Sequence, residues 1–102
     1  IIFIFHVRYN IIKFMIINIK DLKNKIIYRA NYRGTKEMDK LLSSFTKKYI
    51  NLLNQEELSH LCDLLDYDDE NLYKFNQGLE LTIEIKNNKI TELFKNYKYK
   101  HE

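Results

Sequence analysis

The sequence predicts an all-α fold, a small single-domain bundle of about five short helices. Its 102 residues suffice for about one domain. The chain contains two glycines and no proline, which argues against a β-sandwich with many turns and against a loop-rich scaffold. Apolar residues recur three and four positions apart along several segments, and this spacing is typical of amphipathic helices.

Two helices are predicted on either side of Gly34. Residues 21–32 carry apolar side chains at helical spacing, and Gly34 stands where a left-handed residue would end that helix. Thr35 then offers an N-cap for a second helix, whose apolar face comprises Met38, Leu41, Leu42, Phe45 and Tyr49. Because almost nothing separates these helices, we expect a tight αα-hairpin, or elbow.

A third and a fourth helix are predicted in the middle of the chain. Residues 54–57 approach a capping box and open a helix that we expect to end near residues 66–67. Either Asp68 or Asp69 then begins a short fourth helix, which Gly78 ends.

The segment that follows Gly78 has a strand-like pattern. Residues 79–86 alternate apolar and polar side chains, but no strand of similar quality is available to pair with them. We therefore expect an extended connector. Helical spacing returns for a last helix at Ile90, Leu93, Phe94 and Tyr97.

The N-terminal segment is apolar but interrupted by polar and charged residues. Its uncharged runs are much shorter than the roughly 20 residues that span a bilayer, so no membrane span is expected. We expect residues 1–14 to be a non-native or disordered extension and residues 15–102 to form the domain, with Met15 a plausible start. The alternative is a genuine sticky peptide that packs on the core or on a partner. If residues 1–14 are such an extension, a chain that begins at Met15 should be soluble and should unfold cooperatively.

Charge and cysteine content exclude several classes of function. The net charge is +3, yet residues 37–84 hold eleven carboxylates against four lysines. A nucleic-acid binder usually concentrates positive charge on its working surface, so no nucleic-acid partner is expected. The single cysteine, Cys62, cannot form an intrachain disulfide or a cysteine-based zinc site, and it fits a reducing compartment.

No catalytic or metal-binding constellation is apparent. Cys62 is interpreted as a small core residue, because its sequence neighbours are acidic and no electropositive setting is evident. The acidic run at residues 66–70 lacks the spacing of a calcium loop and is better explained by helix capping. The histidines have no metal-ligand spacing, and His60 is expected to be partly exposed; they are His6, His60 and His101.

One short motif, Arg33-Gly34-Thr35-Lys36-Glu37, has two explanations. A structural role accounts for all of it, with Arg33 at a helix end, Gly34 as a C-cap and Glu37 in a first turn. A binding role is the other explanation, and spacing alone does not favour it.

The order of the motifs carries a resemblance. The Arg-Gly-x-x-Glu string closes the first helix and precedes MDKLLSSF, and a Leu-Tyr-x-Phe string and Gly78 come later. About thirty residues after the first string come Leu64, Leu65, Asp68 and Asp69, followed by Leu72, which begins the Leu-Tyr-x-Phe string. From about Lys20 to Gly78 the chain resembles the SdhE-type FAD assembly (flavinylation) factors, the succinate dehydrogenase assembly factor 2 family. The resemblance implies a five-helix bundle.

The resemblance also implies partner-binding residues in this chain. They are Arg33, Gly34, Glu37, Asp39, Asp68, Asp69 and Phe75. Phe75 stands where the family usually has Trp, so an aromatic anchor is kept and the indole N–H is lost.

The function implied by the resemblance is that of an assembly factor, not of an enzyme in its own right. Such a factor promotes covalent attachment of FAD to a histidine of the flavoprotein subunit of succinate dehydrogenase, and in some bacteria of fumarate reductase. FAD is attached to the partner, and no cofactor is expected to bind stably to this chain. The expected compartment is the bacterial cytoplasm, or the mitochondrial matrix in a eukaryote.

Under this hypothesis the elbow docks near the FAD pocket of the flavoprotein. Arg33 would form a charge-assisted fork with a partner carboxylate, and Gly34 would allow close backbone approach. Glu37 would either pair with a partner cation or orient Arg33. Asp68 and Asp69 would extend the contact or only cap a helix. The alternatives are a generic or antitoxin-like interaction module with another partner, and a small basic nucleic-acid binder.

Overall fold

The computed structural model describes residues 18–99, which form five α-helices and no β-strand. Helix α1 occupies residues 18–31 of this part. The others are α2 (Lys36–Tyr49), α3 (Gln55–Leu64), α4 (Asp69–Gln77) and α5 (Lys89–Asn96), and a 3₁₀ turn, Ile50–Leu52, follows α2. The all-α prediction is confirmed. The expectation that residues 1–14 are an extension lies outside the described residues.

The core follows the predicted helix faces. Helix α2 supplies four residues of its predicted face as buried side chains, and the fifth, Tyr49, is half-buried. Helix α5 packs against α3 and α4. The buried apolar residues are Ile26, Ala30, Met38, Leu41, Leu42, Phe45, Ile50, Leu58, Leu61, Leu64, Leu65, Leu72, Ile90 and Phe94.

An aromatic cluster links α2 to the C-terminal half of the bundle. The Phe45 ring meets Phe94 edge-on at 5.2 Å between centroids and Tyr97 at 5.4 Å. Phe75 of α4 stacks on Phe94 at 6.4 Å. Each such pair contributes about 0.5–1.5 kcal/mol beyond the area that it buries. Phe45 and Phe94 are therefore the central contacts that fix α5 against α2.

The predicted helix caps are largely confirmed. The Thr35 side chain accepts a hydrogen bond from the Met38 N–H, and Asn54 and Glu57 form the reciprocal pair of a capping box. Gly78 is left-handed, with φ of 73°, and ends α4. Helix α3 ends at Leu64, slightly earlier than predicted, and a turn over residues 65–67 completes it.

The connector between α4 and α5 forms no β-strand, as predicted, and it bends at residues 82–83. Asn71, 4% exposed, accepts hydrogen bonds at its Oδ1 from both the N–H and the hydroxyl of Thr82, each at 3.2 Å. The Tyr67 hydroxyl accepts from the Lys86 N–H at 3.3 Å. These side chains satisfy backbone donors that a partner strand would otherwise bind.

A buried amide, Asn76, ties α4 to the end of α5. It is 2% exposed, and its Nδ2 donates to the carbonyl oxygens of Phe94 at 2.9 Å and Tyr97 at 2.7 Å. Those carbonyls lie at the C-terminal end of α5, where the Phe94 carbonyl also accepts from the Tyr97 N–H at 3.1 Å, and Asn76 gives both of them a side-chain donor. Sequence periodicity did not identify Asn76, since its polar side chain gives no apolar signal.

Two helix-capping carboxylates make stability depend on pH. The N–H of Asn54 and the ammonium of Lys89 hold the pKa of Glu57 below its usual range. The side-chain amide and the N–H of Asn71 do the same for Asp68. Because both pKa values are lower in the folded state, their stabilisation is present at neutral pH and is lost as the pH falls below about 4.

We expect the free energy of unfolding to fall with acidification below that point, and the variant Glu57→Gln to show a shallower fall. Glutamine keeps an oxygen to accept from the Asn54 N–H but removes the titrating charge. Urea unfolding at a series of pH values measures the slope. An unchanged slope in the variant would mean that Glu57 does not contribute to acid destabilisation.

Within residues 18–99, no helix combines the length and the apolar character needed to cross a membrane.

Candidate partner-binding site

The two sequence motifs meet in space through the side chain of Arg33. Its Nε donates to Asp69 Oδ1 at 2.8 Å, its Nη1 to the Leu65 carbonyl at 2.9 Å and its Nη2 to the Tyr67 carbonyl at 2.8 Å. The Arg33 side chain is 12% exposed and that of Asp69 is 26% exposed. We call this set, together with Gly34, the Arg33–Asp69 junction.

The chemistry of helix ends explains the geometry of the junction. The last carbonyls of a helix have no intrahelical donors, and the end carries partial negative charge. Leu65 is the C-cap of α3, and Tyr67 lies in the turn just beyond it. The planar guanidinium of Arg33 reaches both carbonyls and the Asp69 carboxylate at once from three separate nitrogens, whereas an ammonium group donates from only one.

Gly34 contributes its backbone to the junction. Its N–H donates to Asp69 Oδ2 at 2.8 Å, so both oxygens of that carboxylate are bound to the elbow. A Cβ at Gly34 would lie 3.1 Å from the same oxygen. The prediction of a left-handed Gly34 is wrong, because among residues 18–99 only Gly78 has a positive φ. Gly34 instead provides the space that the Asp69 carboxylate needs.

We expect Gly34→Ala to lower the free energy of unfolding by about 1 kcal/mol, the typical contribution of one hydrogen bond. The added methyl group displaces Asp69 Oδ2 and weakens its bond to the Gly34 N–H. Urea denaturation measures the change. A stabilised Gly34→Ala protein would show that the carboxylate moves aside at no cost and would contradict this role for Gly34.

Asp39 also supports the elbow from within. It lies in the first turn of α2, and its Oδ1 accepts a hydrogen bond from the Arg33 N–H. Asp39 is half-buried. The carboxylate predicted to contact a partner therefore has a bond inside this chain, which fixes the backbone between α1 and α2.

Glu37 differs from its neighbours in the motif. Its side chain is exposed, and within residues 18–99 it makes no hydrogen bond or ion pair. The expectation that Glu37 orients Arg33 is wrong, since Asp69 binds the Arg33 side chain and Asp39 binds its N–H. Glu37 is thus a carboxylate at a rigid elbow, available to an external group.

The remaining predicted residues, Asp68 and Phe75, have structural contacts. Asp68 is the N-cap of α4, with its Oδ2 accepting from the Asn71 N–H at 3.2 Å and its Oδ1 from the Asn71 side chain at 2.9 Å. These two bonds account for its lowered pKa. Phe75 is half-buried and stacked on Phe94. The capping explanation of the acidic run therefore has direct geometric support.

A second arginine, Arg29, joins α1 to α3 beside the junction. It pairs with Asp66, and its Nη1 lies 3.4 Å from both the carbonyl oxygen and the Sγ of Cys62. Burial by itself lowers the pKa of Arg29, but the hydrogen bond and charge of Asp66 outweigh it and raise the pKa overall. Arg29 lies in α1 and Arg33 follows four residues later, just beyond the helix, while Asp66 and Asp69 are three residues apart. This matched spacing of two arginines and two aspartates was the available sequence signal.

The expectation that Cys62 has only acidic surroundings is wrong. Cys62 is half-buried against the core, as expected of a small packing residue. Its neighbourhood nevertheless includes the guanidinium of Arg29 in addition to acidic side chains. His60 is half-exposed, whereas His6 and His101 lie outside the described residues. Across residues 18–99, no group of three or more His, Cys, Asp or Glu side chains could hold a metal ion.

Comparison with known proteins decides the family. The model of the family described as flavinator of succinate dehydrogenase matches residues 24–98. The chain belongs to this flavinator family. The match extends beyond Gly78, where the sequence motifs end, and includes every residue of the Arg33–Asp69 junction.

Individual relatives of the flavinator family agree with this assignment. The FAD assembly factor SdhE of Wigglesworthia glossinidia brevipalpis is 36% identical over 75 residues, which cover 72% of this chain and 86% of the relative. Succinate dehydrogenase assembly factor 2, mitochondrial, of Debaryomyces hansenii is 41% identical over 49 residues, or 48% of this chain and 34% of the relative. The Scheffersomyces stipitis protein of that name is 43% identical over 49 residues, which cover 48% of this chain and 33% of the relative. The chain thus spans about a third of the length of these yeast relatives. No solved structure matches it significantly.

Proposed function

We propose that this chain promotes the covalent attachment of FAD to the flavoprotein subunit of succinate dehydrogenase. The observation that carries the proposal is the flavinator family match over residues 24–98. The bacterial relative named FAD assembly factor, matched over 86% of its length, supports the same role. The chain acts as an assembly factor, and the chemistry of attachment belongs to the flavoprotein and its flavin.

The junction suggests how such a factor works. Three of the five N–H groups of the Arg33 guanidinium are bound inside the chain, and Asp39 and Asp69 bind the elbow on both sides. An elbow fixed in this way presents Glu37 on an ordered backbone, so that binding has to order only the Glu37 side chain. A factor that binds best to the flavoprotein conformation with FAD and the acceptor histidine aligned raises the population of that conformation.

This arrangement divides the roles of the motif residues. Arg33, Gly34, Asp39 and Asp69 act as positioning residues that shape the elbow, and Glu37 makes the contact with a partner cation. A fork between Arg33 and a partner carboxylate is not needed, since Asp69 already occupies the Nε side of the guanidinium.

The same proposal extends to a second client protein, to the cofactor and to the compartment. A fumarate reductase flavoprotein is a second client in organisms that have one, since it presents the same kind of flavin attachment. The chain holds no FAD of its own between rounds. It works in the bacterial cytoplasm or, as the names of the yeast relatives suggest for a eukaryotic source, in the mitochondrion.

The deciding experiment measures covalent flavin on the partner. The cognate flavoprotein subunit is expressed with and without the full chain, denatured, and examined by in-gel flavin fluorescence. We expect fluorescence to rise when the chain is present. Unchanged fluorescence with both proteins folded would overturn the proposal and favour an interaction module with another partner.

A further inference from the structure

A groove with a cavity volume of about 430 Å³ lies between α1 and α2 and shares no lining residue with the Arg33–Asp69 junction. Ile27, Ala30 and Ile50 form its apolar part, and Tyr99 lines it as well. Ala30 and Ile50 are buried core residues, while Ile27 is 41% exposed. This volume falls in the range of about 300–1,000 Å³ that is usual for sites of small molecules.

The polar lining of the groove is rich in cations and hydrogen-bond donors. Lys40 and Lys47 line it, and neither forms an ion pair with any residue in the range 18–99. No carboxylate of that range lines the groove. Asn51 accepts at Oδ1 from the Lys23 ammonium at 3.4 Å, which leaves its amide N–H groups for another partner. Two uncompensated positive charges next to an apolar surface favour an anion.

A buried hydroxyl gives an independent indication. Thr46 lines the groove and is 1% exposed, and its Oγ1 has no hydrogen-bond partner within residues 18–99. The neighbouring hydroxyls of Ser43 and Ser44 donate to carbonyl oxygens of their own helix. Buried polar atoms nearly always have a partner, so a ligand group that reaches this hydroxyl would gain a hydrogen bond that residues 18–99 do not supply.

We propose that this groove binds a small amphiphilic anion, with a carboxylate or phosphate head and an apolar body. The head lies between the ammonium groups of Lys40 and Lys47, and the body covers Ile27, Ala30 and Ile50. Such a ligand contacts α1 and α2 together, the two helices that the elbow joins. Its binding therefore stabilises the hairpin that presents the motif, and this site is additional to the proposed role in flavin attachment.

The test is a calorimetric titration of the full chain with four probes below their micelle concentrations. We expect saturable binding of octanoate or octyl phosphate, at least about tenfold tighter than that of octanol or inorganic phosphate, because each control lacks one half of the ligand. Binding of octanol as tight as that of octanoate would overturn the role of the charge. Equal binding of inorganic phosphate would overturn the role of the apolar body, and binding of none of the probes would overturn the site.

Variants locate the site. The double variant Lys40→Gln with Lys47→Gln should weaken binding of the anionic probe about tenfold or more, while Lys95→Gln, at an exposed lysine of α5 outside the groove, should not. Thr46→Val removes the unpaired hydroxyl and should weaken binding without lowering the melting temperature of the free protein. Equal losses in the double variant and in Lys95→Gln would mean that the anion binds to the general positive charge of the surface.

Discussion

Arg33→Lys is expected to lower the free energy of unfolding by about 2 kcal/mol, because the lysine ammonium donates from a single nitrogen, whereas the guanidinium binds its three acceptors from three nitrogens set in one plane. The Asp69 carboxylate keeps the Gly34 N–H as a donor, but the three bonds of the guanidinium to Asp69, Leu65 and Tyr67 are not all replaced. The elbow then moves relative to α4, and flavin attachment to the partner falls with it. Urea denaturation gives the stability, and flavin fluorescence of the partner gives the activity.

A matched control for this substitution lies one helical turn earlier. Arg29→Lys makes the same chemical change at an ion pair whose side chains are 35% and 66% exposed. Exposed pairs contribute less than about 1 kcal/mol, so this variant should lose much less stability. If Arg33→Lys instead kept full stability and lost only activity, Arg33 would be a direct partner contact, and the structural role assigned to it would be wrong.

Asp69→Asn replaces the carboxylate of the same junction with an amide. Asparagine has one acceptor oxygen, so it cannot accept from the Arg33 Nε and the Gly34 N–H in the manner of the carboxylate. The loss of stability should be comparable with that of Arg33→Lys. The double variant should lose little more than either single one, since both substitutions break one network.

Local sequence signals predicted the helices well, for reasons visible in particular residues. The apolar positions of α2 recur at helical spacing because they face one core, and four of the five are buried. Thr35, Asn54 and Gly78 mark helix ends through bonds or backbone angles that depend on close neighbours. Such signals are contained within a few residues, so a single sequence is enough to detect them.

The junction could not be predicted in the same way, because its partners are distant in the chain. Arg33 and Asp69 are 36 residues apart, and they meet only because the folded chain places the segment after α1 beside the end of α3 and the start of α4. Without that contact, Gly34 had the features of an ordinary helix C-cap and Arg33 those of a free guanidinium. Both motifs were recognised as important, but their mutual binding depends on tertiary structure.

Glu37→Ala is expected to reduce flavin attachment about tenfold or more while changing the free energy of unfolding by less than about 1 kcal/mol. The side chain is exposed and has no partner within residues 18–99, so its removal leaves the fold intact. A contact made only with the flavoprotein should appear in activity and in affinity for the partner. Fluorescence of attached flavin and a direct binding titration measure the two effects.

Glu56→Ala is the matched control for that substitution. Glu56 holds the second position of α3, as Glu37 does in α2, and it is also exposed. Both variants lose the same favourable interaction with a helix N-terminus, so their small stability changes should be equal. A loss of flavin attachment in Glu37→Ala alone would place the partner contact at the elbow. Equal activity in the two variants would remove Glu37 from the interface and leave the junction residues as the part of the motif on which function depends.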